Sequence, residues 1–174
     1  MVDSTSLDWD AGEKLIADTS SWQDKFEWVE EFQASPDGEK VAVIAKTGEG
    51  EFNVCVNGTT WENPFDKIWY LRFGPDGRLA CIISAEMEWT VAVDGQAWEN
   101  TFGLVWNMKF SPDGKNIGVA IQKDMQYGAA VNGEPWENLF ANMTNFAMSA
   151  DGTHTAGAVQ TETFAEGDIF KFQE

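Results

Sequence analysis

The sequence predicts an all-β fold, a small four-bladed β-propeller of four-stranded antiparallel blades, and three observations predict it. One motif occurs four times: WQDKFEWVEEFQASPDG from Trp22, WENPFDKIWYLRFGPDG from Trp61, WENTFGLVWNMKFSPDG from Trp98 and WENLFANMTNFAMSADG from Trp136. The Pro or Ala of the closing turn (Pro36, Pro75, Pro112, Ala150) always stands 14 residues after its tryptophan, so length variation is confined to the rest of each repeat. A second turn, Asn57-Gly58, Asp94-Gly95 or Asn132-Gly133, separates two apolar runs in three of the copies. Self-similarity at a period of roughly 40 residues, with several strands and turns in each period, describes a propeller blade.

Each blade divides into the same pieces. The first strand alternates large apolar with polar or mixed residues, as in Ile68-Trp69-Tyr70-Leu71-Arg72-Phe73 and Val105-Trp106-Asn107-Met108-Lys109-Phe110. Period two is the mark of a half-buried strand, and it places Trp69, Leu71 and Phe73, or Trp106, Met108 and Phe110, on the core side. Pro-Asp-Gly then closes a tight turn: Pro presets one torsion, Asp bonds its own backbone, and Gly accepts the conformation that other residues avoid. The second strand, at Val41–Ala45, Ala80–Ser84, Ile117–Ile121 and Thr155–Val159, is apolar or small throughout, which predicts cover on both faces. A variable loop leads to the third strand, and Asn-Gly or Asp-Gly turns the chain into a short fourth strand that carries the tryptophan.

Domain organisation follows from the repeats. Residues 1–12 match no copy and are read as an N-terminal arm; residues 13–174 form one propeller domain, with repeats near 22–60, 61–97, 98–135 and 136–174. The fourth copy ends before a fifth tryptophan strand, while a spare one stands near Trp22, so an N-terminal strand is expected to complete the last blade and remove its edge. Lys14-Leu15-Ile16-Ala17 and Ile169-Phe170-Lys171-Phe172 compete for the third strand of that blade. Closure through a second chain, by strand exchange or an eight-bladed ring, is the alternative.

Composition bounds the function. With 11 basic and 29 acidic residues the net charge is -18, which argues against nucleic acid and anionic membrane surfaces as partners; a basic partner would be steered in, and a solvated acidic surface that keeps the chain in solution accounts for the charge on its own. No apolar run approaches the ~18 residues of a membrane helix. The start, MVDSTSLDWD, has neither the basic flank nor the apolar core of a signal peptide, so the expected location is the cytoplasm. Cys55 and Cys81 align with small residues in the other copies, Cys55 with Ala92 and Ala130 and Cys81 with Ala42, Gly118 and Ala156. Both are therefore read as buried, reduced packing thiols.

The turn Phe110-Ser111-Pro112-Asp113-Gly114, set before a small-apolar strand, resembles the WD-repeat-like propeller repeats of the TolB and tricorn-protease type over nearly the whole chain from Glu13. That resemblance implies fold and leaves activity open. The chain departs from it in repeating Trp-Glu-Asn and in weakening the last turn to Ser149-Ala150-Asp151-Gly152. In size, acidity, tryptophan content and those Trp-Glu-Asn repeats it is similar to the tryptophan-rich accessory subunit of Tmc-type transmembrane redox complexes of sulfate-reducing bacteria. The similarity implies a subunit without a cofactor of its own, peripheral to the inner face of the membrane, in an electron-transfer assembly.

Glu62, Glu99 and Glu137 with Asn63, Asn100 and Asn138 recur in register and could offer oxygens to a hard cation; satisfaction of backbone groups at the blade edge accounts for them better, and no metal is expected. The repeated tryptophans with Phe26, Phe65, Phe102 and Phe140 four residues on read as packing between blades. Trp9, Trp28 and Trp89 fall outside the repeated position and are the candidate interaction surface. His154, aligned with Lys40, Leu79 and Asn116, reads as exposed and incidental. No nucleophile elbow, phosphate loop or zinc-spaced cysteine pair is present. The expectation is therefore a protein that is not an enzyme and binds other subunits; a glycan- or small-ligand-binding propeller and a hydrolase are the alternatives.

Overall fold

The structure is a computed structural model that describes residues 13 and 15–162. Those residues form one short helix and fourteen strands. Helix α1 (Trp22–Lys25) precedes the first sheet, β1 (Trp28–Ala34), β2 (Val41–Gly48), β3 (Glu51–Val56) and β4 (Thr59–Thr60). The second sheet is β5 (Lys67–Phe73), β6 (Leu79–Ala85), β7 (Glu88–Val93) and β8 (Gln96–Ala97). The third is β9 (Leu104–Phe110), β10 (Ile117–Lys123), β11 (Gln126–Val131) and β12 (Glu134–Pro135). The fourth holds β13 (Asn142–Met148) and β14 (Thr155–Gln160) among the described residues. Within every sheet the strands run antiparallel in chain order, and consecutive sheets pack on one another as propeller blades.

Hydrogen bonding explains why the turn motifs recur. In the first turn Ser35, Ser111 and Ser149 donate their hydroxyls to Asp37, Asp113 and Asp151, and each aspartate accepts a backbone N–H two residues on. The second turn does more than reverse the chain. Asn57, Asp94 and Asn132 each place Oδ1 on the first N–H of the second strand, at Val41 (2.8 Å), Leu79 (2.9 Å) and Ile117 (2.9 Å). One residue thus supplies the left-handed torsion, φ between 47 and 50°, and ties two turns of the blade together, a role open to the short polar side chains.

The core confirms cover on both faces for the second strands of three blades: β6 is buried from Leu79 to Ser84, β10 from Ile117 to Ile121, and β2 from Ala42 to Ala45. Each fully buried Ile or Val there stabilises by about 1.5–3 kcal/mol relative to an exposed one. β14 differs, with burial alternating along its length, because no third strand joins it among the described residues.

The leading tryptophans pack between sheets as expected. Trp61 and Trp98 leave one blade and lie on the second turn of the next, at Gly95 and Gly133, where an added Cβ would stand 3.3 and 3.2 Å from indole carbon. These glycines carry φ of 87 and 90°, so both torsion and contact call for the missing side chain. Trp22 meets Gly58 in the same way, and Trp136 donates Nε1–H to Thr155 Oγ1 at 2.7 Å.

Three expectations are corrected. The strand anticipated near Trp22 is the helix α1, and residues 15–19 form no strand, so the described N-terminal residues add no strand to the last blade. Phe32 shows the consequence: it occupies the repeat position of the buried Leu71, Met108 and Phe146 yet is 53% exposed, its indole neighbour Trp22 stacking at 6.4 Å. Lys14 and the Ile169–Phe172 strand lie outside the described residues. Second, the turn of the second blade is one residue shorter, since Phe73 pairs with Leu79 where Ala34, Phe110 and Met148 pair with Val41, Ile117 and Thr155. Cys81 therefore matches Val43, Val119 and Gly157 rather than Ala42, Gly118 and Ala156, and His154 matches Arg78 rather than Leu79. Both thiols are fully buried and free, as read, and burial pushes both thiols up from their ordinary value.

Third, the first strands do not keep period two. Each carries a bulge, at Glu31, Tyr70, Asn107 and Asn145, with φ of 51, 57, 55 and 56° and a register shift in each ladder. The bulge puts residues three apart on one side. Ile68 with Leu71, and Val105 with Met108, are the buried pairs, while Trp69 is 41% exposed and Trp106 half-buried.

Candidate functional site

Strand register brings exposed apolar side chains to one end of the propeller. Met87 and Met125 cap the hairpins between second and third strands of the second and third blades and are 90% and 76% exposed. Both follow a residue that also has positive φ (Glu86 and Asp124), which presents the methionines outward at a tight hairpin tip. Leu104 pairs with Gln122 beside the second hairpin; Trp28 pairs with Lys46 near the first blade's hairpin. Trp28 packs edge-on to Phe52 at 5.8 Å, and Trp69 stacks on Trp89 at 4.3 Å. Lys67 Nζ stands 6.0 Å from the Trp89 ring, a spacing that lends some cation–π attraction.

Of the candidate surface residues, Trp28 is partly exposed at this end and Trp89 is half-buried beneath Trp69. Trp9 lies outside the described residues. Trp89 is also less singular than the sequence suggests: it shares a strand position with Phe52 and Tyr127, each bridged to the phenylalanine of its linker, Phe65, Phe102 and Phe140. Sequence reasoning missed Trp69, Leu104, Met87 and Met125. A methionine two residues into a short polar hairpin was a legible signal for the last two; the exposure of Trp69 was hidden by the bulge.

Of the repeated Asn and Glu, Asn100 acts as a fitting at the blade edge. Asn100 Nδ2 donates to Gly133 O of the following blade at 3.1 Å, and among the described residues no three metal-ligating side chains cluster. His154 is exposed and its Nδ1 faces Thr153 Oγ1 at 2.8 Å. At its repeat position Arg78 donates to Gly114 O, and Asn116 donates to Asp151 O at 3.0 Å, each reaching the next blade's turn. His154 thus ends a series of inter-blade ties.

A second feature lies on the innermost strands. The carboxylate of Glu31 accepts the backbone N–H groups of Tyr70 (3.1 Å) and Leu71 (2.7 Å), both at the bulge of the following blade. Arg72 flanks it, with guanidinium nitrogen 3.8 Å from Glu31 and 2.6 Å from Leu71 O. Lys109 places Nζ 2.8 Å from Phe146 O at the bulge of the fourth blade.

No protein-family model and no curated protein matches the chain. Among solved structures it is similar in fold to a candidate 6-phosphogluconolactonase from Bacteroides fragilis NCTC 9343, at 14% identity and a TM-score of 0.39. The match covers 75% of this chain and 47% of that one, so the chain spans about half the length of its structural neighbour. The neighbour bears an enzyme's name, which stands against the expectation that the chain is not an enzyme. At this distance the likeness transfers neither substrate nor residues. Among the described residues no helix is long and apolar enough to cross a membrane. The strand order within each sheet and the packing of consecutive sheets establish the architecture as an all-β propeller.

Proposed function

We propose that this propeller is a protein-interaction subunit that docks a basic partner on the end formed by Trp28, Trp69, Leu104, Met87 and Met125. The observation that carries the reading is that large apolar side chains gather at one end of a chain whose net charge is -18. Exposed aromatic and methionine side chains are the composition of a contact surface: the apolar centre supplies affinity, and the net acidity of the chain steers the partner in. Its finer form places the partner in a membrane-associated electron-transfer complex of the Tmc type, on the strength of the tryptophan-rich, Trp-Glu-Asn-repeating sequence.

Affinity purification of the tagged protein from its native cells at low salt tests both levels. Co-enrichment of a membrane or redox subunit is the expected result. Trp69→Ser and Met125→Ser are expected to abolish that enrichment while circular dichroism and the unfolding midpoint stay close to wild type. Recovery of the chain alone would overturn the proposal, and recovery with unrelated subunits would overturn its finer form.

A further inference from the structure

We infer that the inner bulges of the third and fourth blades form a binding site for a small oxyanion, a carboxylate or phosphate group. The second blade holds such a group already. There the bulge turns two successive N–H groups, those of Tyr70 and Leu71, away from the neighbouring strand, and both bind one carboxylate, that of Glu31. Successive backbone donors aimed at one point make an anion seat whose dipoles need no reorganisation.

The same backbone is built again at Asn107-Met108 and Asn145-Phe146. Their torsions at the first residue, 55 and 56°, match the 57° of Tyr70, and the register shift falls at the same point of the ladder. The donor pairs therefore point the same way. What changes is the side chain that Glu31 supplies at the second blade. Its repeat equivalent is Tyr70 for the third blade and Asn107 for the fourth, and neither brings a carboxylate. No side chain among the described residues hydrogen-bonds the N–H groups of Asn107, Met108, Asn145 or Phe146. Asn107 and Asn145 are exposed, so a ligand can reach them.

Charge points to the same ligand. Arg72 and Lys109, two of only 11 basic residues, stand at one repeat position, and each donates to a carbonyl of a bulge, Leu71 O and Phe146 O. In the second blade that cation accompanies the Glu31 carboxylate at 3.8 Å. In the fourth, Lys109 stands ready beside the donor pair of Asn145 and Phe146. A chain so acidic overall repels anions at long range, which makes the two cations at the bulges a local arrangement, suited to a ligand that the donor pairs and Lys109 hold together.

Amide NMR of the whole chain, titrated with inorganic phosphate and separately with formate, tests the site. The amides of Asn107, Met108, Asn145 and Phe146 are expected to shift with saturation, and those of Tyr70 and Leu71 to stay, since Glu31 holds them. Phosphate binding tighter than formate would assign the ligand as a phosphate group, and the reverse a carboxylate. Lys109→Met should weaken binding at the fourth blade about tenfold, the effect of one charged hydrogen bond. Glu31→Ala should make Tyr70 and Leu71 responsive, and formate should then recover part of the lost thermal stability, which it would not do for wild type. Glu31→Gln serves where the alanine variant does not fold. Absence of saturable shifts at the four amides, or shifts indifferent to Lys109, would overturn the site.

Discussion

Single residues in this chain act mostly across blade boundaries, and that sets what their loss should cost. Trp98 covers Gly133 of the following blade and packs on the buried cluster of Val119 and Ile121. Trp98→Ala is expected to destabilise by about 3–5 kcal/mol, the range for removing a large aromatic from a packed site, measured by denaturant unfolding; a loss below about 1 kcal/mol would place the indole in water. Glu31 joins the first and second blades through its carboxylate and the two bulge amides. Its replacement by Gln removes the charge from those bonds and should cost about 2 kcal/mol on the same measurement. Gly133→Ala should cost more than Gly38→Ala: both have positive φ, but the added carbon meets Trp98 at 3.2 Å in the first case and open space in the second. The Arg78 tie could not be read from sequence, because the shortened second turn misaligns it with Asn116 and His154.

At the level of elements, the turns that join Ser to Asp and Gly at residues 35–38, 111–114 and 149–152 carry a pH signature. Asp151 is held well below its ordinary value of 3.8, first by the Ser149 hydroxyl and then by the Thr153 backbone and side chain. Asp113 is lowered likewise by Ser111 and the Lys115 N–H, and Asp37 by Ser35 and the Glu39 N–H. A carboxylate lowered in the folded chain contributes stability above its unfolded value and loses it as pH falls through the folded one. The turns should therefore stay intact down to about pH 4 and loosen below it. Carboxyl-carbon chemical shifts followed with pH check this, and Ser149→Ala should raise the Asp151 midpoint. The turn itself was legible, since Asp and Gly at fixed offsets have one conformational use. The bulge was not: the positive φ is carried by Glu31, Tyr70, Asn107 and Asn145, so only two of the four copies place there a residue that favours that torsion, and the apparent alternation of the first strands concealed it.

The whole molecule is expected to be unevenly stable. Hydrogen exchange should be slowest in β6 and β10, which are buried on both faces, and fastest in β13 and β14, which form a two-stranded sheet among the described residues, β14 with alternating exposure. Equal protection in all four blades would contradict that ranking. Fold class, blade count, the turns and the placing of the repeated indoles between sheets were all determined by the sequence alone, because a fixed period of turn residues and apolar runs leaves few packings open. Tertiary structure decided the rest. It put Trp69, Leu104, Met87 and Met125 at one end, brought Glu31 onto the amides of residues 39 and 40 positions later, and left Phe32 exposed where its repeat partners are covered. These depend on which blade lies beside which and on a bulge of one residue, and a local pattern records neither: neighbours across a blade boundary are distant in the chain, and a bulge changes which side every later residue faces.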